Sequence, residues 1–254
     1  MRVLVTNDDG IDSPGLAVLA SAAVDAGCDV VVAAPARESS GASASLLGAE
    51  QDGRLIVDEK DAPGLPPGVS GSFAVRAAPA LIALVASHGG FGPKPDLVLS
   101  GVNRGGNTGH AVIHSGTVGA ALSAMTHGIR GMAVSIADDD PRHWETAGVV
   151  VRPLLDWLLA SEPLDRVVNV NVPDRPAHQV RGVRQAPLAS FGTVHARIRE
   201  VDHGNLVLTY SEVEVNREMD TDAGLLARGW ATVTLLRAPV HDADAAVPEL
   251  LHGL

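Results

Sequence analysis

Two acids stand side by side in Asn7-Asp8-Asp9-Gly10, directly after the apolar run Val3-Leu4-Val5-Thr6. An amide and two carboxylates ahead of a glycine make an oxygen-rich turn. Hard divalent cations such as Mg²⁺ and Mn²⁺ take carboxylate, carbonyl and water oxygen in preference to nitrogen or sulfur. The same four residues would also suit an Asx turn leading into a helix, so metal binding needs other loops of matching chemistry. Two are present. After Ala33 the chain reads Pro35-Ala36-Arg37-Glu38-Ser39-Ser40-Gly41-Ala42-Ser43. After Leu99 it reads Ser100-Gly101-Val102-Asn103-Arg104-Gly105-Gly106-Asn107-Thr108-Gly109 and leads into His114-Ser115-Gly116-Thr117-Val118 at an expected helix start. Glycines let backbone N–H groups approach an anion, and the amino end of a helix presents unpaired donors with partial positive charge. Each loop alone could be a surface turn. Gathered at one sheet edge, the three would surround a phosphate bound to a cation.

The elements that would position these loops alternate. Ser13-Pro14 reads as an N-cap followed by proline at the first helical position, and Leu16, Leu19, Ala20, Ala23 and Val24 recur at helical spacing up to Gly27. Residues 29–33 follow as a buried strand, completing a βαβ unit whose crossover should be right-handed. Helices are expected over 79–87, 116–127 and 147–160, the last with Trp157 on its apolar stripe, and strands over 96–100, 132–136 and 167–172. Residues 61–71, rich in Pro and Gly, read as a mobile loop. Beyond Pro173 the alternation stops. Residues 194–199 and 206–215 read as antiparallel strands around His203-Gly204-Asn205, residues 231–236 as a strand and 242–251 as a short helix.

The expected fold class is α/β: a mainly parallel, doubly wound sheet with helices on both faces over residues 1–178. A C-terminal extension over 179–254 would hold a β-hairpin, a returning strand and a terminal helix. A doubly wound sheet brings the carboxyl ends of neighbouring strands to one crevice, so the three loops should meet there.

Composition narrows the function classes. A length of 254 residues, 46% of them apolar, supports a sizeable core without staples. A net charge of -11, with no cluster of Lys or Arg, argues against binding a nucleic-acid polymer through its backbone. An acidic protein that handles a phosphate needs a bound cation to attract it. The single cysteine, Cys28, rules out an internal disulfide and a Cys-based zinc site, and reads as a buried thiol. Neither Gly-x-x-x-x-Gly-Lys-Ser/Thr nor Gly-x-Gly-x-x-Gly follows the first strand, which argues against ATP motors and ordinary NAD binding. With no basic leader and no apolar run approaching roughly 18 residues, a soluble cytoplasmic protein without membrane attachment is expected.

Val5-Thr6-Asn7-Asp8-Asp9-Gly10, Ala34-Pro35 through Ser40-Gly41-Ala42-Ser43, Ser100-Gly101-Val102-Asn103 with Gly105 and Asn107, and Ser115-Gly116-Thr117-Val118 resemble, in order and spacing, the survival protein SurE family. Asn169-Val170-Asn171-Val172-Pro173 and Thr221-Asp222 before Gly229 are later echoes, so the resemblance covers nearly the whole chain. It implies a Rossmann-like core and a metal-dependent phosphatase acting on nucleoside 5′- and 3′-monophosphates. It also implies a homodimer or homotetramer assembled through the C-terminal extension. Carried over by residue, Asp8, Asp9, Ser40 and Asn103 would hold one Mg²⁺ or Mn²⁺ per subunit, with Ser39 as the neighbouring alternative to Ser40. Asn7, Asn107, Ser115, Gly116 and Thr117 would face the substrate phosphate. Asp8 would accept the proton of an attacking water, or in a rival route take the phosphoryl group itself.

The match departs from the family at His110 and Ala111, where two acids are common, and at His114, where a tyrosine commonly precedes Ser-Gly-Thr. Pro35-Ala36-Arg37 replaces Pro-Asp-Arg, and Thr234-Leu235-Leu236 replaces Thr-Pro-Leu. His114 adjoins an expected phosphate contact and is the candidate to protonate the leaving oxygen, although a lone histidine there also suits a structural hydrogen bond. These changes bear on the choice of substrate. Beside a nucleotide they leave open a specialised phosphorylated metabolite as substrate, or a nucleotide-binding relative without turnover.

Overall fold

The computed structural model describes residues 1–162, 164–190, 194–202, 205–212 and 218–240. Its elements in chain order are β1 (Arg2–Thr6), α1 (Pro14–Asp25), β2 (Asp29–Pro35), β3 (Glu50–Gln51), β4 (Arg54–Leu55), β5 (Val57–Glu59), β6 (Val69–Val75) and α2 (Pro79–Ser87). There follow β7 (Leu97–Arg104), α3 (Gly116–Thr126), β8 (Arg130–Ile136), α4 (Trp144–Ala160), β9 (Val167–Val172) and β10 (Val183–Gln185). The last are β11 (Val194–Asp202), β12 (Asn205–Glu212), α5 (Asp222–Ala227) and β13 (Ala231–Leu236). Short 3-10 helices occupy Gly109–His114 and Ala177–Gln179.

Near-continuous apolar runs such as Val3-Leu4-Val5 and Val30-Val31-Val32 suit strands covered on both faces, as a parallel sheet requires. Among the described residues the main sheet has nine strands in the order β10-β13-β9-β8-β7-β1-β2-β6-β5. The pairs from β9 through β6 are all parallel. Alternation of side chains then splits the core. Val3 and Val5 of β1 join Leu16 and Leu19 of α1 and Val151 and Leu155 of α4 on one face. Leu4 faces the other way, with Ile82 of α2 and Ala124 of α3. Leu16, Leu19 and Leu155 are fully buried, and each such side chain contributes about 2 kcal/mol by burial.

The chain runs β1, β2, β6 to one side of β1 and β7, β8, β9 to the other, so the strand order reverses between β1 and β7. Loops leaving those two strands diverge and open a crevice. Ligands bind at such a crevice in open α/β sheets.

Several expectations need correction. Residues 61–71 are not one loop, because Val69–Gly71 opens β6, a parallel strand against β2 that its Ser and Gly content disguised. Trp157 is 45% exposed, lying in the last turn of α4 at the edge of the stripe formed by Ala147, Val150, Val151, Leu155 and Leu158. Ser13 sits at the N-cap of α1 but makes no side-chain cap bond, and Cys28 is only partly buried. The hairpin strands β11 and β12 pair antiparallel from Val194↔Glu212 to Asp202↔Asn205, and β13 returns antiparallel to β9 inside the main sheet. The tip at 203–204, residues 213–215 and the expected helix over 242–251 lie outside the described residues.

Candidate active site

The loop after β1 forms the floor of the crevice. Asn7 is fully buried and folds back on its own turn, donating from Nδ2 to the Gly10 carbonyl (3.0 Å) while its Oδ1 accepts from the Gly10 N–H (3.1 Å). Gly10 has φ +99°, and a Cβ there would lie 3.3 Å from the Arg37 carbonyl carbon, so a glycine lets the two loops meet. Their contact is fixed by N–H bonds from Ile11 to the Pro35 carbonyl (2.8 Å) and from Ser39 to the Asp8 carbonyl (2.7 Å).

Asp8 is 4% exposed, and its Oδ1 accepts from the Thr117 hydroxyl at 2.5 Å. Burial pushes the Asp8 carboxyl up to about 6, against the Thr117 hydrogen bond, and the neighbouring charge of Asp9 adds to the rise. Asp9 is also raised by burial, while the backbone and side chain of Arg104 hold it down. Its Oδ2 accepts from the Arg104 N–H (3.2 Å), and its Oδ1 lies 3.4 Å from Arg104 Nε. Two like charges are thus placed below the surface, and the one cation paired with them among the described residues, Arg104, reaches Asp9 alone.

The other segments close in around this pair. Asn103, at the end of β7, donates from Nδ2 to the carbonyls of Arg104 (2.9 Å) and Gly105 (2.7 Å), which fixes the amide with its Oδ1 unengaged by described donors. Ser40 is exposed and donates to Glu38 (2.7 Å), whose charge in turn acts on Asp9. The amino end of α3 rests directly on Asp8: a Cβ on Gly116 would stand 2.9 Å from both Asp8 Cβ and Oδ2. Ser115 caps that helix, its Oγ accepting from the Val118 N–H (3.1 Å). Asn107 is held by a ladder from β9, in which Asn171 Oδ1 accepts its N–H (2.8 Å) and the amides of Asn169 and Asn171 both donate to its carbonyl (2.9 Å). Its own Nδ2 donates to Ser135 (2.8 Å).

Asp8, Asp9 and Asn103 therefore come together at the crevice, with the Ser39-Ser40 loop tied to them and the amino end of α3 alongside. Three expected phosphate contacts already have partners within the protein. Thr117 is fully buried and spends its hydroxyl on Asp8, Asn7 spends its amide on Gly10, and Ser115 accepts the capping bond. What α3 offers an anion is its backbone end at Gly116. His114 is exposed and its imidazole has no hydrogen bond to a described residue, while its carbonyl accepts from the Ser43 N–H (3.2 Å).

Sequence reasoning quoted Arg104, Glu38 and Asp222 within its motifs but gave none of them a role. The last is fully buried and accepts three backbone N–H bonds, from Gly109 (2.9 Å), Ala189 (2.8 Å) and Ala223 (2.8 Å), pinning the loop that carries Asn107. An Asn there would turn an amide donor toward an N–H. Asp222→Asn is expected to cost about 2 kcal/mol, lowering Tm by about 6 °C in a thermal melt; an unchanged Tm would show that the clamp is dispensable.

Among the described residues no three His, Cys, Asp or Glu side chains cluster as metal ligands. The set here has another composition, two carboxylates with neutral oxygens from Asn103 and the Ser40 loop. It fits a hard divalent cation: every donor is oxygen, the buried acid pair lacks a full counter-charge, and the Asn103 Oδ1 is unspent.

Fold and site together define an α/β protein that gathers two buried acids, an unengaged amide oxygen and the amino end of a helix where the strand order reverses between β1 and β7. The chain belongs to the survival protein SurE family, whose model matches residues 3–195. It is 37% identical over 246 residues to the 5′-nucleotidase SurE 1 of Burkholderia lata, covering 93% of this chain and 90% of that one. It is 34% identical over 262 aligned residues to the 5′/3′-nucleotidase SurE of Escherichia fergusonii, covering 100% of this chain and 98% of that one. The crystal structure of the SurE protein from Aquifex aeolicus superposes with a TM-score of 0.80 at 26% identity, covering 95% of both chains.

Proposed function

We propose that this chain is a cytoplasmic, metal-dependent phosphomonoesterase that hydrolyses nucleoside 5′- and 3′-monophosphates to nucleoside and phosphate. The observation that carries the reading is the buried Asp8–Asp9 pair set against the amino end of α3. A phosphate drawn to that helix end would meet two carboxylates and be repelled unless a dication lay between. Asp8, Asp9, Asn103 and Ser40 would hold one Mg²⁺ or Mn²⁺ per subunit. Such an ion, when bound, neutralises phosphoryl charge and acidifies a water.

The chain's own residues do the rest. Thr117 fixes the Asp8 carboxylate in one orientation, with Oδ2 against Gly116, where any side chain would collide with it. Asp8 takes the proton of the attacking water at Oδ2. The backbone at the start of α3 and the second Nδ2 hydrogen of Asn107, whose main chain is held by Asn169 and Asn171, would receive the phosphate oxygens. His114, at the mouth, would protonate the leaving alcohol. A homodimer or homotetramer formed through residues 179–254 belongs to the same reading. No described helix is long and apolar enough to cross a membrane.

Phosphate release from a panel of 5′- and 3′-nucleotides and sugar phosphates tests it. Turnover is expected with Mn²⁺ or Mg²⁺ and should stop on addition of EDTA. A chain that binds AMP by calorimetry yet releases no phosphate with either metal would contradict the assignment.

A further inference from the structure

Beside the acid pair lies an open cleft of about 940 Å³, within the size range of small-molecule sites. Ser40 lines it, as do Arg37, Glu38, Asp58, Lys60 and Arg76. The sheet explains the grouping. Pro35 of β2 is paired with Val75 of β6, and the Ala36 N–H bonds to the Val75 carbonyl (2.7 Å), so Arg37 and Arg76 follow the ends of two adjacent parallel strands and line the same cleft. β5 runs antiparallel along β6 and delivers Asp58 and Lys60 to the same wall.

The charges in this cleft are unequally spent. Lys60 Nζ is 2.7 Å from Asp12, and Glu38 accepts from Ser40. Arg37 and Arg76 are exposed, and neither makes an ion pair with a described residue. In a chain with 30 acidic and 19 basic side chains, this cleft holds two arginines without an ion pair to a described residue, although Glu38 and Asp58 line it too. A guanidinium presents a rigid fork of donors that matches carboxylate and phosphate oxygens in pairs. A substrate with a single phosphate, held at Asp8 and Asp9, would bring no anion of its own to these two forks.

We propose that this cleft is a second-anion subsite: the preferred substrate is a phosphomonoester that also carries a phosphate or carboxylate, gripped by Arg37 and Arg76 while the ester is cut at Asp8 and Asp9. The proposal rests on the phosphatase reading above and names the substrate class of that site. A ribose bearing a second phosphate and a phosphorylated carboxylic acid share this chemistry. Paired substrates separate them.

With Mn²⁺ present, phosphate release is compared for adenosine 3′,5′-bisphosphate against AMP, and for 3-phosphoglycerate against glycerol 3-phosphate. At least one doubly anionic member should show kcat/KM about tenfold above its partner. Arg37→Ala and Arg76→Ala should each bring that ratio toward one, and Arg76→Lys should retain part of it. A ratio at or below one in both pairs, or a ratio that neither alanine variant alters, overturns the subsite. Hydrolysis of p-nitrophenyl phosphate in the same assay reports on the phosphatase reading separately. If that ester too is untouched, calorimetric titration with adenosine 3′,5′-bisphosphate still decides: about tenfold weaker binding to Arg76→Ala than to wild type supports the subsite, and equal binding overturns it.

Discussion

Asp8→Asn lowers kcat/KM for phosphate release by about 10³-fold or more, the largest effect expected of any single substitution in this chain. Asn has the size of Asp and can still accept from Thr117, so the buried packing against Gly116 survives. What it loses is charge. One ligand to the cation becomes neutral, and the group that takes the water's proton is gone. The loss should therefore appear at saturating Mn²⁺, with far-ultraviolet circular dichroism unchanged. Retention of more than about a tenth of wild-type activity would remove Asp8 from the chemistry.

The same carboxylate makes the metal-free protein less stable as pH rises. Burial lifts Asp8 from its ordinary 3.8 to about 6 in the folded chain, so between those values the folded state binds more protons than the unfolded one. Stability is then highest below the unfolded value and is lost as pH climbs through the folded value. The whole shift is worth about 3 kcal/mol at neutral pH. That corresponds to several degrees of Tm for a chain of this length. In EDTA, wild-type Tm should fall from pH 4.5 to pH 7, and Asp8→Asn should show a shallower fall and melt higher at pH 7. Added Mn²⁺ should raise wild-type Tm more at pH 7 than at pH 5, because protons compete for the ligand, and should do little for Asp8→Asn. Parallel pH profiles for the two proteins would contradict this account of the pair.

How much of this was legible beforehand follows from where each signal lies in the chain. The acid pair stood out because nothing about a packed core calls for two carboxylates straight after an apolar strand. α2 was expected over 79–87 and forms there, since proline marks its first turn, and β9 matches its expected range. β6 escaped because Val-Ser-Gly-Ser-Phe-Ala-Val mixes small polar residues into a strand that is only partly covered. At the site, residue types were readable but partners were not. A threonine at a helix start looks the same whether it faces a ligand or a carboxylate, and Thr117 meets Asp8 across 109 residues of sequence. Arg104 reaches Asp9 across 95 and Asp222 reaches Gly109 across 113, contacts that only the assembled sheet creates. Arg37 and Arg76 line one cleft for the same reason, through the pairing of β2 with β6.

The central claim is one divalent ion held by the loops after β1, β2 and β7, beside the amino end of α3. Anomalous diffraction at the manganese edge, from crystals grown with Mn²⁺ and a phosphate mimic, tests it most directly. The account predicts a single strong peak per chain within about 2.5 Å of carboxylate oxygens of Asp8 and Asp9. Asn103 Oδ1 should be a further ligand, and the mimic should lie between the ion and Gly116. Manganese bound elsewhere, with Asp8 and Asp9 touching none of it, would contradict the claim.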